Sequence, residues 1–241
     1  MTKIIWYWKK GSQSRDPFFN EKILPNLEKN APECIGYYNI IFDIVNDDIR
    51  LKYPKSMTKL TDHLYLGSIH DAQDLGILKE NGITHIIDTV KSTKIPKSPR
   101  KFQKENSQDE IPKVLIGEKI KYFGFTSQDD GNYPIMEHFD DVFKFIENAE
   151  ENDGKCLIHC LEGINRSGVL ATAYLMVKNK IGPIPAARYV FERRGMILSN
   201  TSFIVALLIL AKEKKLLEVQ SVLNWANYET MWSKLVSCYC I

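Results

Sequence analysis

The sequence predicts an α/β domain, a central β-sheet covered on its faces by helices. Short β-branched and apolar runs, such as Ile83 to Ile87 and Lys155 to His159, alternate along the chain with longer stretches of helical periodicity. That alternation builds sheets flanked by helices. The chain has 241 residues, 44% of them hydrophobic, enough for one ordinary domain with a sizeable core and cramped for two. Turn residues such as Gly67 and the Asn81-Gly82 pair fall where the elements must end.

Residues 1–56 carry the weakest pattern. Pro17 to Asn30 reads as a short helix broken by Pro25, and Tyr37 to Val45 is apolar and aromatic enough for a strand or a buried helix. No catalytic constellation is found there, and the segment reads as a structural extension packed on the main domain, residues 57–214. From Thr58 the pattern sharpens. His63 to Leu66 is a strand ending at Gly67, Ile69 to Glu80 an amphipathic helix, and Ile83 to Ile87 a buried strand. Lys91 to Pro112 is a polar loop with three prolines, and Lys119 to Phe125 another strand. Tyr133 to Asn148 is helical, with Ile135, Phe139, Val142, Phe143 and Ile146 on one face. A strand over Lys155 to His159 precedes three helices, Ser167 to Lys178, Pro183 to Arg194 and Ser199 to Lys214. Residues 215–241 add a last helix or a tail.

Composition excludes several classes. A formal net charge of +2 with 26% charged residues does not describe a nucleic-acid binder. The five cysteines, Cys34, Cys156, Cys160, Cys238 and Cys240, are odd in number and unevenly spread, which suits a reduced intracellular, cytoplasmic setting better than a disulfide framework. Cys156 sits too far from Cys160 along an extended strand to bridge it, and reads as core. Met1 to Lys10 is too brief for a signal peptide, and the apolar run Phe203 to Ala211 falls far short of the ~20 residues that cross a bilayer. Six basic residues, Lys91, Lys94, Lys97, Arg100, Lys101 and Lys104, read as a solvated loop, or as a lure for an acidic or doubly phosphorylated substrate. The terminus Cys238-Tyr239-Cys240-Ile241 formally matches a prenylation box, but Tyr239 is not aliphatic and polybasic support is missing.

The chemistry concentrates in Lys155 to Leu170. A buried strand delivers Cys160 to its C-terminal edge, and a loop containing Gly163 turns into a helix whose first residue or cap is Ser167. Amides of Leu161, Glu162, Gly163, Ile164 and Asn165 can converge at the positive end of that helix, where a phosphate binds. The same field favours a thiolate, so Cys160 is expected to have a depressed pKa and to act as a nucleophile. Arg166 offers a bidentate fork to two phosphate oxygens, and Gly163 lets the backbone approach the anion.

The run from His159 through Cys160, Gly163 and Arg166 to Ser167 resembles the signature of the protein-tyrosine-phosphatase superfamily, most closely its dual-specificity branch. Leu64-Tyr65-Leu66-Gly67, Asp71-Ala72, Leu78 and Gly82 to Ile87 are similar to the opening strand–helix–strand of those phosphatases. Ala173 to Met176 resembles the helix after the loop, and Arg194, Asn200 and Phe203 the closing helices. The resemblance covers about Thr58 to Glu213. It implies a compact domain with a curved, mostly parallel sheet, and hydrolysis of phosphotyrosine, phosphoserine and phosphothreonine through a cysteinyl-phosphate. Tyr122 to Phe139 is similar to the acid-loop segment, which places Asp129 at the general-acid position with Asp130 as competitor; both also suit a turn before a helix. By the same resemblance Ser167 helps the thiolate depart, and His159 is a buried residue hydrogen-bonded to tune Cys160. No metal or cofactor is called for, because Arg166 and the backbone dipoles neutralise the phosphate charge. Two other readings remain open: an RNA 5′-triphosphatase-type enzyme, which shares an Asn before the arginine, and a non-catalytic phosphate-binding module.

Overall fold

In the computed structural model, residues 19–47, 52–91, 119–131 and 133–217 are described. The basic loop beyond Lys91, most of the tail and the terminal Cys238 to Ile241 lie outside them, as does the Met1 to Lys10 stretch.

Four short strands carry the sheet's parallel part: β2 (Leu64–Gly67), β3 (His85–Asp88), β4 (Lys121–Gly124) and β5 (Cys156–His159). With β1 (Thr58–Lys59) they form a five-stranded sheet of order β1-β2-β5-β3-β4, in which only β1 runs antiparallel. The expected strands at 83–87, 119–125 and 155–159 each shift or shorten by one to three residues at an end, where ladder hydrogen bonds give way to turns.

Strand β5 is central and buried along its whole length, as its apolar run requires. Alternation sorts its side chains onto two faces. Leu64, Leu66, Ile87, Cys156 and Ile158 enter the larger core, while Tyr65, Ile86 and Leu157 face a smaller one with Leu78 and Ile83.

The smaller face is covered by α3 (Ile69–Gln73) and α4 (Leu75–Glu80). A single helix was expected across these residues. It breaks at Asp74, whose backbone is extended (φ −95°, ψ 96°) and whose side chain accepts the Ile77 N–H at 3.0 Å, capping the second piece. The first piece opens on a capping box between Ser68 and Asp71.

The larger face carries α5 (Phe139–Glu151), α6 (Arg166–Lys178), α7 (Pro183–Arg194) and α8 (Ser202–Glu213). The α5 helix begins later than expected, because Ile135–His138 after Pro134 winds as a tighter 3-10 turn. Every residue of α6 from Ser167 to Met176 is buried. In the extension, α1 (Leu24–Asn30) and α2 (Cys34–Val45) pack into the same core, with Tyr38 and Ile41 fully covered and α2 lying against α7 and α8. The segment 37–45 is thus helix rather than strand. Pro25 sits in the first turn of α1, where a missing N–H costs nothing, and so starts a helix instead of breaking one. A π-turn at Phe19–Ile23 precedes it.

Candidate active site

The parallel register sets Gly67, His159, Asp88 and Gly124 side by side along one edge of the sheet. All four strands end there, and the site is built from the segments that leave that edge. Cys160 follows β5 directly and is 2% exposed. Its Sγ accepts the Gly163 N–H at 3.1 Å.

The loop between Cys160 and α6 is held by its carbonyls. The Leu161 carbonyl accepts from Ile69 N–H at 3.2 Å, and that of Ile164 from Leu198 N–H at 3.2 Å. Arg194 takes the two between, its Nη2 donating to Glu162 at 3.2 Å and its Nε to Gly163 at 3.1 Å. Because C=O and N–H of a trans peptide point in opposite directions, four outward carbonyls turn four successive amides inward. The Gly163 N–H on the sulfur is one of them. This gives the expected anion cradle a concrete cause.

Packing by itself requires a glycine at 163. Its φ is +70°, and a Cβ would fall 2.3 Å from the Gly67 carbonyl oxygen and 2.4 Å from Arg194 Nη2. Close packing against β2 and Arg194 rules out a side chain.

Arg166 opens α6. Its Nη1 donates to the Ser127 carbonyl at 3.1 Å, and its Nε stands 3.7 Å from Asp129 Oδ2. Arg166 Nε and the Ser167 hydroxyl are both buried without a hydrogen-bond partner. Ser167 was expected as the first residue or the cap of the helix; it is the second helical residue, after Arg166, and Asn165 holds the cap position without making a side-chain cap. Two unsatisfied polar groups on the first two residues of one helix are unusual, since such groups cost about 1–3 kcal/mol each when left unpaired.

The acid segment enters from β4. Ser127 N–H donates to the Thr89 carbonyl at 3.2 Å and its hydroxyl donates to the same oxygen, while Thr89 Oγ1 donates to the His159 carbonyl at 3.0 Å. Asp129 follows two residues later. Its Oδ1 accepts from Asn200 Nδ2 at 3.0 Å and its Oδ2 from Asn165 Nδ2 at 3.2 Å. Asp130 has a turn role, its Oδ1 accepting the Tyr133 N–H at 3.0 Å.

His159 lies behind the loop. Its Nδ1 is 3.3 Å from the Cys160 carbonyl oxygen and its Nε2 3.8 Å from Asp88 Oδ1, so it meets the backbone of Cys160 and not the sulfur. Burial holds its pKa below the ordinary histidine value, against the pull of Asp88. Leu161 is exposed and Glu162 accepts a hydrogen bond from the Tyr53 hydroxyl, which puts both side chains on the rim; Ile164 is buried.

The expected residues Cys160, Gly163, Asn165, Arg166, Ser167 and Asp129 are thus brought together at one sheet edge. The sequence left the working roles of Arg194, Asn200 and Ser127 unassigned. For Arg194 a signal exists: it falls on the buried stripe of α7 with Ala187, Val190 and Phe191, and a charged residue on such a stripe needs specific partners. It is 4% exposed, and burial lowers its pKa while Asp71 and Cys160 act to raise it.

A cavity of about 740 Å³ opens at the opposite end of the strands, lined by residues including His63, Lys155, Tyr174 and Arg193. Some of its polar groups are engaged in the wall: the Tyr174 hydroxyl donates to Glu147 at 2.7 Å, and Lys178 lies 2.6 Å from Glu147 and 2.9 Å from Glu150. It contains none of the residues gathered around Cys160. The residues gathered around Cys160 lie at the other end of the strands.

The catalytic-domain profile of dual-specificity phosphatases matches residues 64–213, the stretch from β2 through α8. The chain belongs to the dual-specificity phosphatase family. It is 32% identical over 126 residues to dual specificity protein phosphatase 22-A of Danio rerio, covering 52% of this chain and 51% of that one. It is 36% identical over 119 residues to dual specificity protein phosphatase 15 of Homo sapiens, covering 49% of this chain and 34% of the relative. The chain therefore spans about half or less of the length of these relatives. Among solved structures, that of DUSP15 superposes with a TM-score of 0.53 at 27% identity, covering 76% of this chain and 96% of the other. A human tyrosine phosphatase-like serine/threonine/tyrosine-interacting protein superposes with a TM-score of 0.52 at 26% identity, covering 66% and 97%. The α/β fold with a mostly parallel sheet flanked by helices is that of this family. Among the described residues no helix is long and apolar enough to cross a membrane, and no group of three or more His, Cys, Asp or Glu side chains is placed to hold a metal ion.

Proposed function

We propose that this protein hydrolyses phosphomonoesters on phosphotyrosine, phosphoserine and phosphothreonine side chains of proteins, through a phosphate covalently held on Cys160. The observation that carries this reading is the meeting of three groups from two segments: the Cys160 sulfur in a loop of inward amides, the Arg166 guanidinium that closes that loop, and the Asp129 carboxylate 3.7 Å from Arg166 Nε.

The chemistry follows from the arrangement. A phosphate seated against the amides and the unpartnered Arg166 Nε has its charge neutralised by donors already in position. The Cys160 thiolate attacks phosphorus, forming an S–P bond as the P–O bond to the side chain breaks. The departing oxygen takes a proton from Asp129, without which an alkoxide leaves poorly. Water then attacks the phosphocysteine and gives a proton to Asp129. The S–P bond breaks, inorganic phosphate is released and the thiolate returns. In this reading Ser167, whose buried hydroxyl has no other partner, donates to the sulfur as its charge reappears.

An RNA 5′-triphosphatase reading rested on Asn165. In this structure its carboxamide is engaged by Asp129, Ser199 and Asn200, which accounts for the residue without an RNA end. A purely binding module has no use for an acid poised beside the arginine, and the pair Asp129 and Arg166 favours turnover.

The test compares wild type with Cys160→Ser on p-nitrophenyl phosphate, phosphotyrosine and phosphothreonine peptides, and a 5′-triphosphorylated RNA. Wild type is expected to turn over the first three and to form an acid-trappable phosphoenzyme. The Cys160→Ser variant is expected to lose about 10⁴-fold or more in kcat. Retained activity in that variant overturns the cysteine mechanism, and preference for RNA overturns the protein substrate class.

A further inference from the structure

Asn is among the residues favoured at a helix N-cap, where its side-chain oxygen usually accepts from an amide of the first turn. Asn165 occupies that position at the start of α6 and makes no such bond. Its carboxamide turns away from the helix and reaches two other segments. Oδ1 accepts from the Ser199 hydroxyl at 3.1 Å and from the Asn200 N–H at 3.0 Å. Nδ2 donates to Asp129 Oδ2 at 3.2 Å. Asn200 closes the circuit, its Nδ2 donating to Asp129 Oδ1 at 3.0 Å.

We propose that Asn165 is a positioning residue that latches the acid loop to the phosphate loop, fixing Asp129 over the reacting phosphate. The inference rests on the reading of Asp129 as general acid given above. One carboxamide uses both its donor and its acceptor ends, so Asp129 is referenced to the same loop that holds the phosphate. Each carboxylate oxygen receives one amide hydrogen and keeps a second lone pair, where the transferable proton can sit. The diverted side chain has two further consequences. The first amides of α6 stay uncapped and face the anion site. Residues 199 and 200 are drawn out of α8, which begins at Ser202 and not at Ser199 as its sequence pattern suggests.

A latch on the acid has a signature distinct from general loop support. Proton donation matters most for a poor leaving group, so Asn165→Ala is expected to lower kcat roughly tenfold to a hundredfold on a phosphoserine peptide and clearly less on p-nitrophenyl phosphate. The Asn165→Asp variant keeps the acceptor for Ser199 and Asn200 and removes only the donor to Asp129, replacing it with a like charge. It is expected to show at least the same leaving-group penalty, and if it behaves as wild type the proposal is overturned. In an Asp129→Asn background the Asn165→Ala change should add no further leaving-group dependence, since the latched group is gone. Equal losses on both substrates, or a penalty that persists in that background, would also overturn it. Should Asn165→Ala fold poorly by thermal denaturation, Asn165→Ser supplies the same comparison with a small polar residue. A Cys160→Ser variant that remains active, or an Asp129→Asn variant without leaving-group dependence, defeats the underlying mechanism instead and is told apart by those two controls.

Discussion

The two loops that meet at the site are built in opposite ways. The phosphate loop spans seven consecutive residues, Cys160 to Arg166, between β5 and α6. Its covalent frame is local: a strand end, a left-handed glycine and a helix start. Each of its carbonyls from Leu161 to Ile164 is also tied to the body of the domain by a hydrogen bond. The acid loop has a local turn, with Asp130 accepting the Tyr133 N–H, but its Asp129 side chain is held from afar. Asp129 is placed by Asn165, Asn200 and Arg166, and its approach by Thr89, all distant in sequence. The phosphate loop is thus fixed peptide by peptide along its backbone, whereas the acid side chain hangs on three side-chain contacts and can be loosened from any of them.

The sharpest way to separate the two is to silence one. Asp129→Asn keeps the carbonyl acceptor but removes the transferable proton. It is expected to lower kcat on phosphopeptides by about 10²-fold or more while leaving Kd for a non-hydrolysable analogue nearly unchanged. Stopped-flow turnover and calorimetry check this, and full activity would move the role to Asp130.

A smaller effect is expected from breaking the phosphate loop's own frame. Gly163→Ala forces a Cβ into the Gly67 carbonyl at a φ of +70°. A loss of roughly 1–3 kcal/mol in stability, visible in the denaturant midpoint, is expected together with weakened phosphate binding. If binding falls without loss of stability, the loop is less rigid than its hydrogen bonds imply.

The smallest effect concerns what lies beneath. Burial holds His159 and His85 below the ordinary histidine pKa. A buried base that folds neutral binds fewer protons than in the unfolded chain, so its stabilising contribution is present above about pH 6.5 and is lost as pH falls. Thermal midpoints should drop between pH 7.5 and 5.5, and His159→Gln should flatten that slope. An unchanged slope in the variant would show that other groups dominate.

Much of this could be read in advance because period and punctuation suffice for it. The buried β5, the Cys160 to Arg166 spacing and the α6 run rich in Ala, Leu and Val are each written in contiguous residues. Boundaries failed where a polar side chain competed for the backbone, as Asp74 does in splitting the helix over 69–80. The early segment stayed open between two forms because apolar runs of nine residues fit a strand or a helix equally, and only packing against α7 and α8 chose the helix for Tyr37 to Val45.

By itself the sequence determined the family, the loop that joins Cys160 to Arg166 and the strand and helix on either side of it, because covalent neighbours cannot drift apart. Only the tertiary structure decided what Arg194, Asn165 and Asn200 do. Hydrogen-bond partners far apart along the chain are set by how elements pack, and a polar residue's type fixes what it can offer but not whom it will meet.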